Sequence, residues 1–423
     1  MSEPTSPAQI PAFRFIWISR FCAVIAITGM VVILGYQIYE VARSQYGMSI
    51  ADASFLLGLL GLAQFLPYAL LSPVSGVVAD RFDRRRTAML ATALDMTIAL
   101  ALALVTFNGV HSLPVLFSLA AAHGAARVFL GPSLSALVPN VVPKALIPRA
   151  VAQSSTAWQF GALVGPTIAG LLFGVASFSP YALSTALLAI SCVALIAMGP
   201  VAQTRSSAEV HPIRQIVEGF RFLRQNRFLL GCVTLDMFAV LMGGATALLP
   251  VFARDILHVG SEGLGLMRAM PGAGAAVVAF FLSWKPIERE VGMKMLLGVA
   301  AYGAATVGFG LSTNFVFSLV CLAALGAADM VSVFIRSALE QLSTPDEMRG
   351  RVGAISGLFI SASNELGEMQ SGTAAALLHS AVAAVVFGGV GAIFITIAWA
   401  VIFPELKNAR TFAPQNRDKE QVP

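Results

Sequence analysis

Charged residues are scarce in this sequence of 423 residues. They make up 12% of the chain, whereas hydrophobic residues make up 57%; a soluble domain carries about 25% charged residues. The shortage excludes an ordinary water-soluble domain and indicates a chain that lies largely in lipid. The net charge of +5 is therefore no sign of nucleic-acid binding, and we predict that the chain binds none.

The sequence also lacks the motifs of metal, nucleophilic and nucleotide chemistry. It contains no His-Glu-x-x-His pattern, no Gly-x-Ser-x-Gly elbow and no Gly-x-x-x-x-Gly-Lys loop, which argues against a zinc enzyme, a serine hydrolase and direct use of ATP. The four cysteines stand singly in apolar runs, without the spacing of a metal site or a disulfide framework. We therefore predict no enzyme activity, no catalytic residue, no metal and no cofactor.

Long runs with few or no charges fill most of the chain. A helix that crosses the hydrocarbon core of a membrane needs about 20 apolar residues, and twelve runs reach about that length. We predict an all-α membrane protein with twelve transmembrane helices. The predicted helices cover residues 15–40, 53–79, 87–107, 113–138, 151–176, 180–201, 228–253, 263–284, 293–311, 315–342, 352–378 and 381–403.

The positively charged residues lie almost entirely on one side of these helices. If both termini are placed on the inner side, 21 of the 27 lysines and arginines fall in inner segments. Only Arg43 and Arg254 fall in outer loops, and the remaining four lie within helices. Because cytoplasmic loops carry an excess of lysine and arginine, we predict a multi-pass membrane protein with both termini in the cytoplasm.

The two halves of the chain repeat each other at a constant distance of 202 residues. The repeated pairs are Gly124 with Gly326, Ser135 with Ser337, Pro143 with Pro345, Arg149 with Arg351, Gly165 with Gly367 and Gly170 with Gly372. Two related sets of six helices are typical of transporters that rock about a central site. We predict pseudo-symmetric six-helix bundles at 1–202 and 228–404, an amphipathic cytoplasmic linker at 203–227 and a cytoplasmic tail at 405–423.

A dense cluster of charges follows the second predicted helix. Residues 80–86 carry six charges in seven positions, directly after a run from 53 to 79 that has none. Such a cluster marks the point where the chain leaves the membrane. We interpret it as a gate latch, whose contacts form in one state and break in the other; the alternative is a cluster that only fixes topology. The predicted latch residues are Gly76, Asp80, Arg81, Arg84 and Arg85.

The eleventh predicted helix carries the strongest candidate site. Spacings of three and four place five polar residues on one helix face: Ser361, Asn364, Glu365, Glu368 and Ser371. A charge at the middle of a bilayer costs about 2.5–3.5 kcal/mol on insertion scales, so two acids there need a reason. We interpret Asn364, Glu365 and Glu368 as a proton-coupling or cation-binding site. The alternative is a pair of acids held by arginines for structure.

Three further charged residues lie deep in predicted helices. Asp236 follows Arg227 by about 13 Å of helix, and we interpret it as a proton carrier or substrate contact, with a fixed ion pair as the alternative. Arg127 and Asp329 occupy equivalent positions of the repeat and carry opposite charges. They can therefore interact across the interface between the two halves.

Small residues cluster in the fifth predicted helix, at Gly161, Gly165, Pro166 and Gly170. Small side chains let membrane helices approach closely, and the hydrogen bond lost at a proline is tolerable where a neighbouring helix covers it. We predict close packing and local bending along this face. Generic helix packing without a role in transport is the alternative.

Three motifs make the chain resemble the major facilitator superfamily over essentially its whole length. They are Gly76-x-x-x-Asp80-Arg81-x-x-Arg84-Arg85, Arg127-x-x-x-Gly131 and Gly161-x-x-x-Gly165-Pro166-x-x-Ala169-Gly170. Three shorter stretches are similar to bacterial enterobactin-exporter-like and macrolide-exporter-like efflux proteins. They are Asp236-Met-Phe-Ala, Arg349-Gly-Arg351-Val and Asn364-Glu-Leu-Gly-Glu368.

The resemblance implies the major facilitator fold, a role of Arg127 in proton movement, and a glycine-proline motif of the kind found in exporters. It also implies a bacterial inner membrane. We expect a secondary transporter that exports a small, partly apolar molecule, such as a drug or siderophore, by proton antiport with alternating access. Its expected partners are the substrate, protons and the lipid bilayer, and we expect a monomer. The alternatives are a proton-coupled nutrient importer and a receptor or scaffold that transports nothing.

Overall fold

The computed structural model describes residues 6–201 and 212–412. It describes only the backbone of positions 73, 76, 77, 79–81, 212–217, 346, 347, 349–351, 354 and 358. Twelve long helices occupy the twelve predicted segments, and most of their ends lie within four residues of the prediction. They are α1 (Pro11–Ser44), α2 (Ile50–Arg81), α3 (Arg84–Phe107), α4 (Leu113–Val141), α5 (Ile147–Val175), α6 (Ser179–Ala197), α7 (Arg227–Met242), α8 (Gly260–Trp284), α9 (Val291–Gly310), α10 (Phe315–Ser343), α11 (Asp346–Leu377) and α12 (Ala381–Ile402).

Eleven helical segments of the described chain are long and apolar enough to cross a membrane. The exception among the twelve is α11, although its 32 residues exceed the length that a membrane requires. Its apolar character is interrupted by Asn364, Glu365 and Glu368. Among the twelve long helices, the one with the least apolar sequence is therefore the one that carries the candidate acidic site.

The seventh membrane segment is irregular where the sequence predicts one straight helix over 228–253. Helix α7 stops at Met242, and the chain continues through a 3₁₀ turn at Ala245–Leu248 and a π-helical stretch at Phe252–Ile256. The break occurs at Gly243, whose carbonyl oxygen accepts a hydrogen bond of 2.9 Å from the hydroxyl of Tyr302. A side chain that inserts into the helix ladder is one of the usual causes of a helix break, and the hydroxyl of Tyr302 lies at this point.

The chain divides into two compact units that differ from the predicted halves by two short segments. Unit 1 consists of Met1–Ser49, Leu59–Glu209 and Pro250–Ala269, and unit 2 of Ile50–Gly58, Val210–Leu249 and Met270–Pro423. The segments that change place, Ile50–Gly58 and Pro250–Ala269, each contain the beginning of the second helix of a half. Charge and hydropathy patterns carry no information on such an exchange.

Helix packing inside each unit follows the same plan. In unit 1, α1 packs against α5 and α6, and α3 packs against α4 and α6. In unit 2, α7 packs against α11 and α12, and α9 packs against α10 and α12. Adding six to each helix number converts the first set into the second, so the internal repeat of the sequence is also a repeat of the structure.

One repeated glycine pair shows how closely the two units match. An added Cβ at Gly124 of α4 would collide with the carbonyl oxygen of Gln64 in α2. An added Cβ at Gly326 of α10 would collide with the carbonyl oxygen of Pro271 in α8. Both glycines thus let a helix touch the backbone of its neighbour, as small residues do in membrane proteins.

The glycine pairs of the fifth and eleventh helices make equivalent contacts as well. Gly165 of α5 lies against α1 at Thr28, and Gly367 of α11 lies against α7, where an added Cβ would be 2.9 Å from the carbonyl oxygen of Val240. Gly170 lies against the start of α8 within unit 1, and Gly372 lies against the start of α2 within unit 2. The exchanged segments are therefore held by glycine contacts that obey the repeat.

A helix at Pro212–Gln225 occupies most of the predicted linker, and residues 203–211 lie outside the described part. It packs against α7 and α11 of unit 2, with Leu223 fully buried and Phe220 exposed. The tail is described as far as residue 412. Its backbone pairs with the start of α9, because the amide of Gly292 donates to the carbonyl oxygen of Ala409 at 3.1 Å.

Substitution of Gly124 by alanine should destabilise the protein, whereas Gly131→Ala in the same helix should not. The methyl group at position 124 would overlap the carbonyl of Gln64 and force α2 and α4 apart, and overpacking of this kind costs about 1–3 kcal/mol. Among the described residues, a methyl group at Gly131 would meet no atom within 4 Å. Thermal unfolding midpoints of the two purified variants in one detergent measure the difference, and equal midpoints would contradict a tight contact.

Candidate functional site

The acidic residues of α11 lie in unit 2 on one face of the helix. Glu365 and Glu368 are half-buried, and Asn364 is exposed. Residues three positions apart on a helix have Cβ atoms about 5–6 Å apart, so the two acids are neighbours. Gly372 follows Glu368 by about one turn and packs against Gly58 at the start of α2. The acidic face therefore continues into a tight contact between helices of unit 2.

The break after α7 fixes the rotation of α11. An added Cβ at Gly244 would lie 2.8 Å from Oγ of Ser371 and would collide with the carbonyl oxygen of Gly367. Gly367 stands between Glu365 and Glu368 in the sequence. Because its backbone touches the irregular segment, the direction of both acids is set by backbone packing and not only by their own contacts.

Asp236 of α7 and Arg336 of α10 form a buried ion pair inside unit 2. Each exposes only 5% of its surface. Nη1 of Arg336 donates to Oδ2 of Asp236, and the hydroxyl of Ser332 donates to Oδ1 at 3.1 Å. The fixed ion pair that the sequence leaves open for Asp236 is thus present, whereas a part in proton or substrate binding stays a prediction.

The ion pair extends into a longer polar row that sequence reasoning misses. Ser332, Arg336 and Glu340 follow one face of α10 at intervals of four residues, and the hydroxyl of Ser356 in α11 donates to the carboxylate of Glu340. The row links α7, α10 and α11. The spacing of four was a usable signal on α10, but the partners on the other helices lie about 100 and 16 residues away and depend on helix rotation.

Buried leucines occupy the positions of unit 1 that correspond to this ion pair. At the repeat distance of 202 residues, Asp236 corresponds to Leu34 and Arg336 to Leu134. Leu34 exposes 0% and Leu134 exposes 2% of its surface. The same helix packing therefore forms with two apolar side chains in place of the ion pair.

Arg127 and Asp329 lie in different units, and each is half-buried in its own helix. The guanidinium carbon of Arg127 lies 5.5 Å from the ring centroid of Tyr68 in α2. This is the geometry of a cation–π contact. The interaction that the sequence suggests between Arg127 and Asp329 stays a prediction.

Two arginines of the charge cluster bind carbonyl groups within unit 1. Nη1 of Arg84 donates to the carbonyl oxygen of Ala136 in α4 at 3.0 Å. Arg85 donates from Nε and Nη2 to Leu195 and Ile196 at the end of α6, at 2.6 and 2.9 Å. The free carbonyls at a helix C-terminus attract cations, so Arg85 caps α6.

Asp83, the second aspartate of this cluster, has a role that sequence reasoning misses. Oδ1 of Asp83 accepts a hydrogen bond of 2.9 Å from the backbone amide of Arg86 and so caps the start of α3. Aspartate is among the preferred N-cap residues. The side chains of Gly76, Asp80 and Arg81 lie outside the described residues, and the latch stays a prediction.

The glycine-proline motif of α5 is closely packed inside unit 1. An added Cβ at Gly161 would lie 2.8 Å from Cγ1 of Val24 in α1. On the other side of the motif, an added Cβ at Gly265 of α8 would lie 2.9 Å from the carbonyl oxygen of Pro166. Helix α5 runs without interruption through Pro166. The predicted close packing is present, and a role of the motif in export stays a prediction.

Loss of one partner of the buried ion pair should be far more costly than loss of both. Arg336→Leu leaves the Asp236 carboxylate buried without its cation, and such changes cost about 3–5 kcal/mol. The double variant with leucine at both positions should recover most of this loss, because Leu34 and Leu134 fill the equivalent site of unit 1. Ser332→Ala, which removes one hydrogen bond to the carboxylate, should cost about 1.5–3 kcal/mol. Thermal unfolding in detergent measures all three, and a double variant as unstable as Arg336→Leu would contradict the assignment.

Arg85→Lys should weaken the attachment of α3 to α6, and Arg86→Lys should serve as its matched control. A lysine presents one compact ammonium group in place of the fork with which Arg85 reaches two carbonyls. Loss of one hydrogen bond from a charged donor costs about 1.5–3 kcal/mol. The side chain of Arg86 is exposed, so its replacement should leave the unfolding midpoint unchanged. Equal midpoints for the two lysine variants would rule out the cap.

Comparisons with known proteins agree with this architecture. A family model described as transmembrane secretion effector matches residues 2–422. The enterobactin exporter EntS of Escherichia coli (strain K12) is 26% identical over 411 residues, which cover 96% of this chain and 95% of the relative. EntS of Shigella boydii serotype 18 (strain CDC 3083-94 / BS512) matches with the same identity and coverage. The predicted resemblance to enterobactin-exporter-like proteins is confirmed.

Solved transporter structures share the fold along nearly the whole chain. The nucleoside transporter NupG (D323A mutant) has a TM-score of 0.70 and 14% identity, covering 93% of this chain and 100% of its own. A D-xylose-proton symporter has a TM-score of 0.68 and 13% identity, covering 93% and 98%. A bacterial homolog of the human lysosomal transporter Spinster has a TM-score of 0.68 and 13% identity, covering 96% and 97%.

At such low identity these structures bear on the fold alone, and they confirm the predicted twelve-helix major facilitator fold. The family match and the curated relatives show a multi-pass membrane transporter and not an enzyme. The chain belongs to the transmembrane secretion effector family of the major facilitator superfamily.

Proposed function

We propose that this protein exports a small, partly apolar molecule in exchange for protons, by alternating access. Export is supported by the family description and by relatives named as exporters. Proton exchange is supported by Glu365 and Glu368, two acids about one helical turn apart and half-buried in α11. An acid at this depth is costly, and in transporters such residues mark ion pathways and proton relays.

The arrangement of unit 2 favours a coupling role of these acids over a purely structural one. The deeply buried Arg336 already has Asp236 as its partner, so unit 2 contains a separate ion pair that fixes its helices. The rotation of α11 is set by the backbone contact at Gly367. Glu365 and Glu368 are therefore not needed to hold α11 in place.

The proton gradient supplies enough free energy for useful export. One proton that moves down a potential of 100 mV releases about 2.3 kcal/mol. Because about 1.4 kcal/mol corresponds to a tenfold ratio, one proton per molecule sustains an outward gradient of about forty-fold. No further cofactor is needed in this scheme.

The proposed setting is a bacterial inner membrane, with a monomer whose termini both face the cytoplasm. The charge distribution supports this orientation, with 21 lysines and arginines in inner segments against two in outer loops. The name of the curated relatives, enterobactin exporter, makes an iron-chelating siderophore the first substrate to test. A lipophilic drug is the second.

Uptake into inverted membrane vesicles tests the proposal. An imposed pH gradient, acidic inside, should drive accumulation of labelled enterobactin or, for the drug class, of ethidium. Glu365→Gln and Glu368→Gln should abolish gradient-driven uptake, because glutamine keeps the size and hydrogen bonding of the side chain but cannot exchange a proton. Dissipation of the gradient should abolish wild-type uptake in the same way.

Glu405→Gln is the matched control for these variants. Glu405 lies 3.1 Å from Arg227 near the tail, and the two side chains expose 38% and 62% of their surface. It lies at the end of the chain away from α11, so its replacement should leave uptake unchanged. Wild-type uptake that ignores the gradient, together with glutamine variants that behave as wild type, would refute proton coupling. Uptake of neither probe in vesicles that contain folded protein would refute the substrate class.

A further inference from the structure

Two further titratable groups, Asp95 and His123, are buried side by side in unit 1. Nδ1 of His123 in α4 lies 2.6 Å from Oδ1 of Asp95 in α3. Asp95 exposes 1% and His123 exposes 0% of its surface. Among the described residues, neither Oδ2 of Asp95 nor Nε2 of His123 has a hydrogen-bond partner. Buried polar atoms are rarely left without a partner, so these two atoms call for an explanation.

The pair lies near the middle of its helices. Asp95 is 11 residues from Arg84 and 12 from Phe107, the two ends of α3, which at about 1.5 Å per residue places it about 16–18 Å from either end. His123 follows the start of α4 by ten residues, or about 15 Å. A hydrocarbon core is about 30 Å thick, so the length of the helices places the pair near the middle of a membrane.

Few charged groups lie near this pair on the helices that pack around it. Helix α1 has no charged residue between Arg20 and Glu40, α6 has none, and α5 has none after Arg149. On α2, the residues at this level are Gln64, whose backbone touches Gly124, and the titratable Tyr68. The nearest cation in sequence is Arg127, one turn after His123 on α4 and stacked on the ring of Tyr68.

The duplicated unit shows that helix packing alone does not require a histidine at this position. At the repeat distance of 202 residues, His123 corresponds to Leu325, which exposes 5% of its surface. Helices α9 and α10 pack against each other as α3 and α4 do. Since hydrophobic residues of similar volume often replace a buried charged pair without loss of stability, the buried pair points to a chemical use beyond packing.

We propose that Asp95 and His123 form a binding site for one proton and that Arg127 controls its occupancy. With one proton the pair is neutral overall, either as carboxylate and imidazolium or as carboxylic acid and imidazole. Without that proton it carries one negative charge, which the guanidinium of Arg127 can balance from the next turn. One hydrogen lies between Nδ1 and Oδ1 in both forms. The proton that binds and leaves is held on one of the two unbonded atoms, Nε2 of His123 in the imidazolium form or Oδ2 of Asp95 in the carboxylic acid form.

This site extends the proposed function and rests on it, because it gives unit 1 a proton site in addition to the acids of unit 2. Movement of Arg127 towards the pair favours the form without the proton, and movement away favours the form with it. The family resemblance implies a role of Arg127 in proton movement. Asp95 and His123 are the groups of the same unit whose proton it controls.

Histidine ring nitrogen NMR of the full-length protein in detergent tests proton binding without any substrate. The chain has five histidines; His123 is assigned by the signal lost in His123→Asn, with His379→Asn as the control that removes an exposed histidine. If His123→Asn does not fold, substitution of the other four assigns His123 by elimination. Spectra recorded from about pH 5 to about pH 8 should show the ring of His123 both with and without the exchangeable proton. In Arg127→Gln a larger fraction should be protonated at the same pH, because the opposing cation is gone.

A His123 ring that keeps one protonation state over this range, in wild type and in Arg127→Gln, would overturn the proposal. In inverted vesicles, Asp95→Asn and His123→Asn should lose most of the pH dependence of enterobactin or ethidium uptake, whereas His379→Asn should retain it. A wild type that ignores the pH gradient would refute proton antiport. The NMR titration would still decide whether the pair binds a proton, so the two failures can be told apart.

Discussion

The absence of water around the membrane helices determines which charged side chains can be buried in this protein, because each one needs partners that replace water. A carboxylate or guanidinium in hydrocarbon is costly, and a buried ion pair recovers that cost only with good geometry and further hydrogen bonds. Asp236 meets both conditions, because Arg336 and Ser332 each donate to one of its oxygens. Its pair joins α7 to α10, and the Asp95–His123 pair joins α3 to α4. Each pair therefore links the facing sides of two neighbouring helices.

Close backbone contacts at glycines fix the helices that carry the titratable groups. The carbonyl contact at Gly124 brings α4 against α2 next to His123, and the contact at Gly367 brings α11 against the broken end of α7 between the two acids. In both units a glycine thus stands beside the titratable groups. Glycine contacts tolerate little rotation, since a displaced helix would bring a neighbouring side chain into the same space. Backbone packing therefore fixes the orientation of the helices on which these titratable residues lie.

The positions of the helices can be predicted from the sequence, whereas most partners of the buried charges cannot. The run 113–138 contains no acid and no lysine and predicts a transmembrane helix. Helix α4 covers nearly the same residues. The constant repeat distance likewise predicts that Gly165 and Gly367 serve the same purpose. Asp236 and Arg336 are 100 residues apart, however, and their meeting depends on helix rotations that apolar patterns do not determine. The break at Gly243 and the exchange of Ile50–Gly58 between the predicted halves depend on tertiary contacts in the same way.

The two units keep the same backbone contacts but differ in their buried charges. This difference indicates that the two units have different chemical roles. At the repeat distance, His123 of unit 1 corresponds to the buried Leu325, and the Asp236–Arg336 pair of unit 2 corresponds to the buried Leu34 and Leu134. Leucine fills these repeated positions, so helix packing at them does not require a charged side chain. A permanent ion pair such as Asp236–Arg336, with both oxygens of its acid bonded, suits a rigid support. A pair such as Asp95–His123, with one unbonded atom on each partner, suits a group that gains and loses a proton. Unit 1 and unit 2 thus carry different buried chemistry on one scaffold, and this difference supports the proposed coupling of substrate to protons.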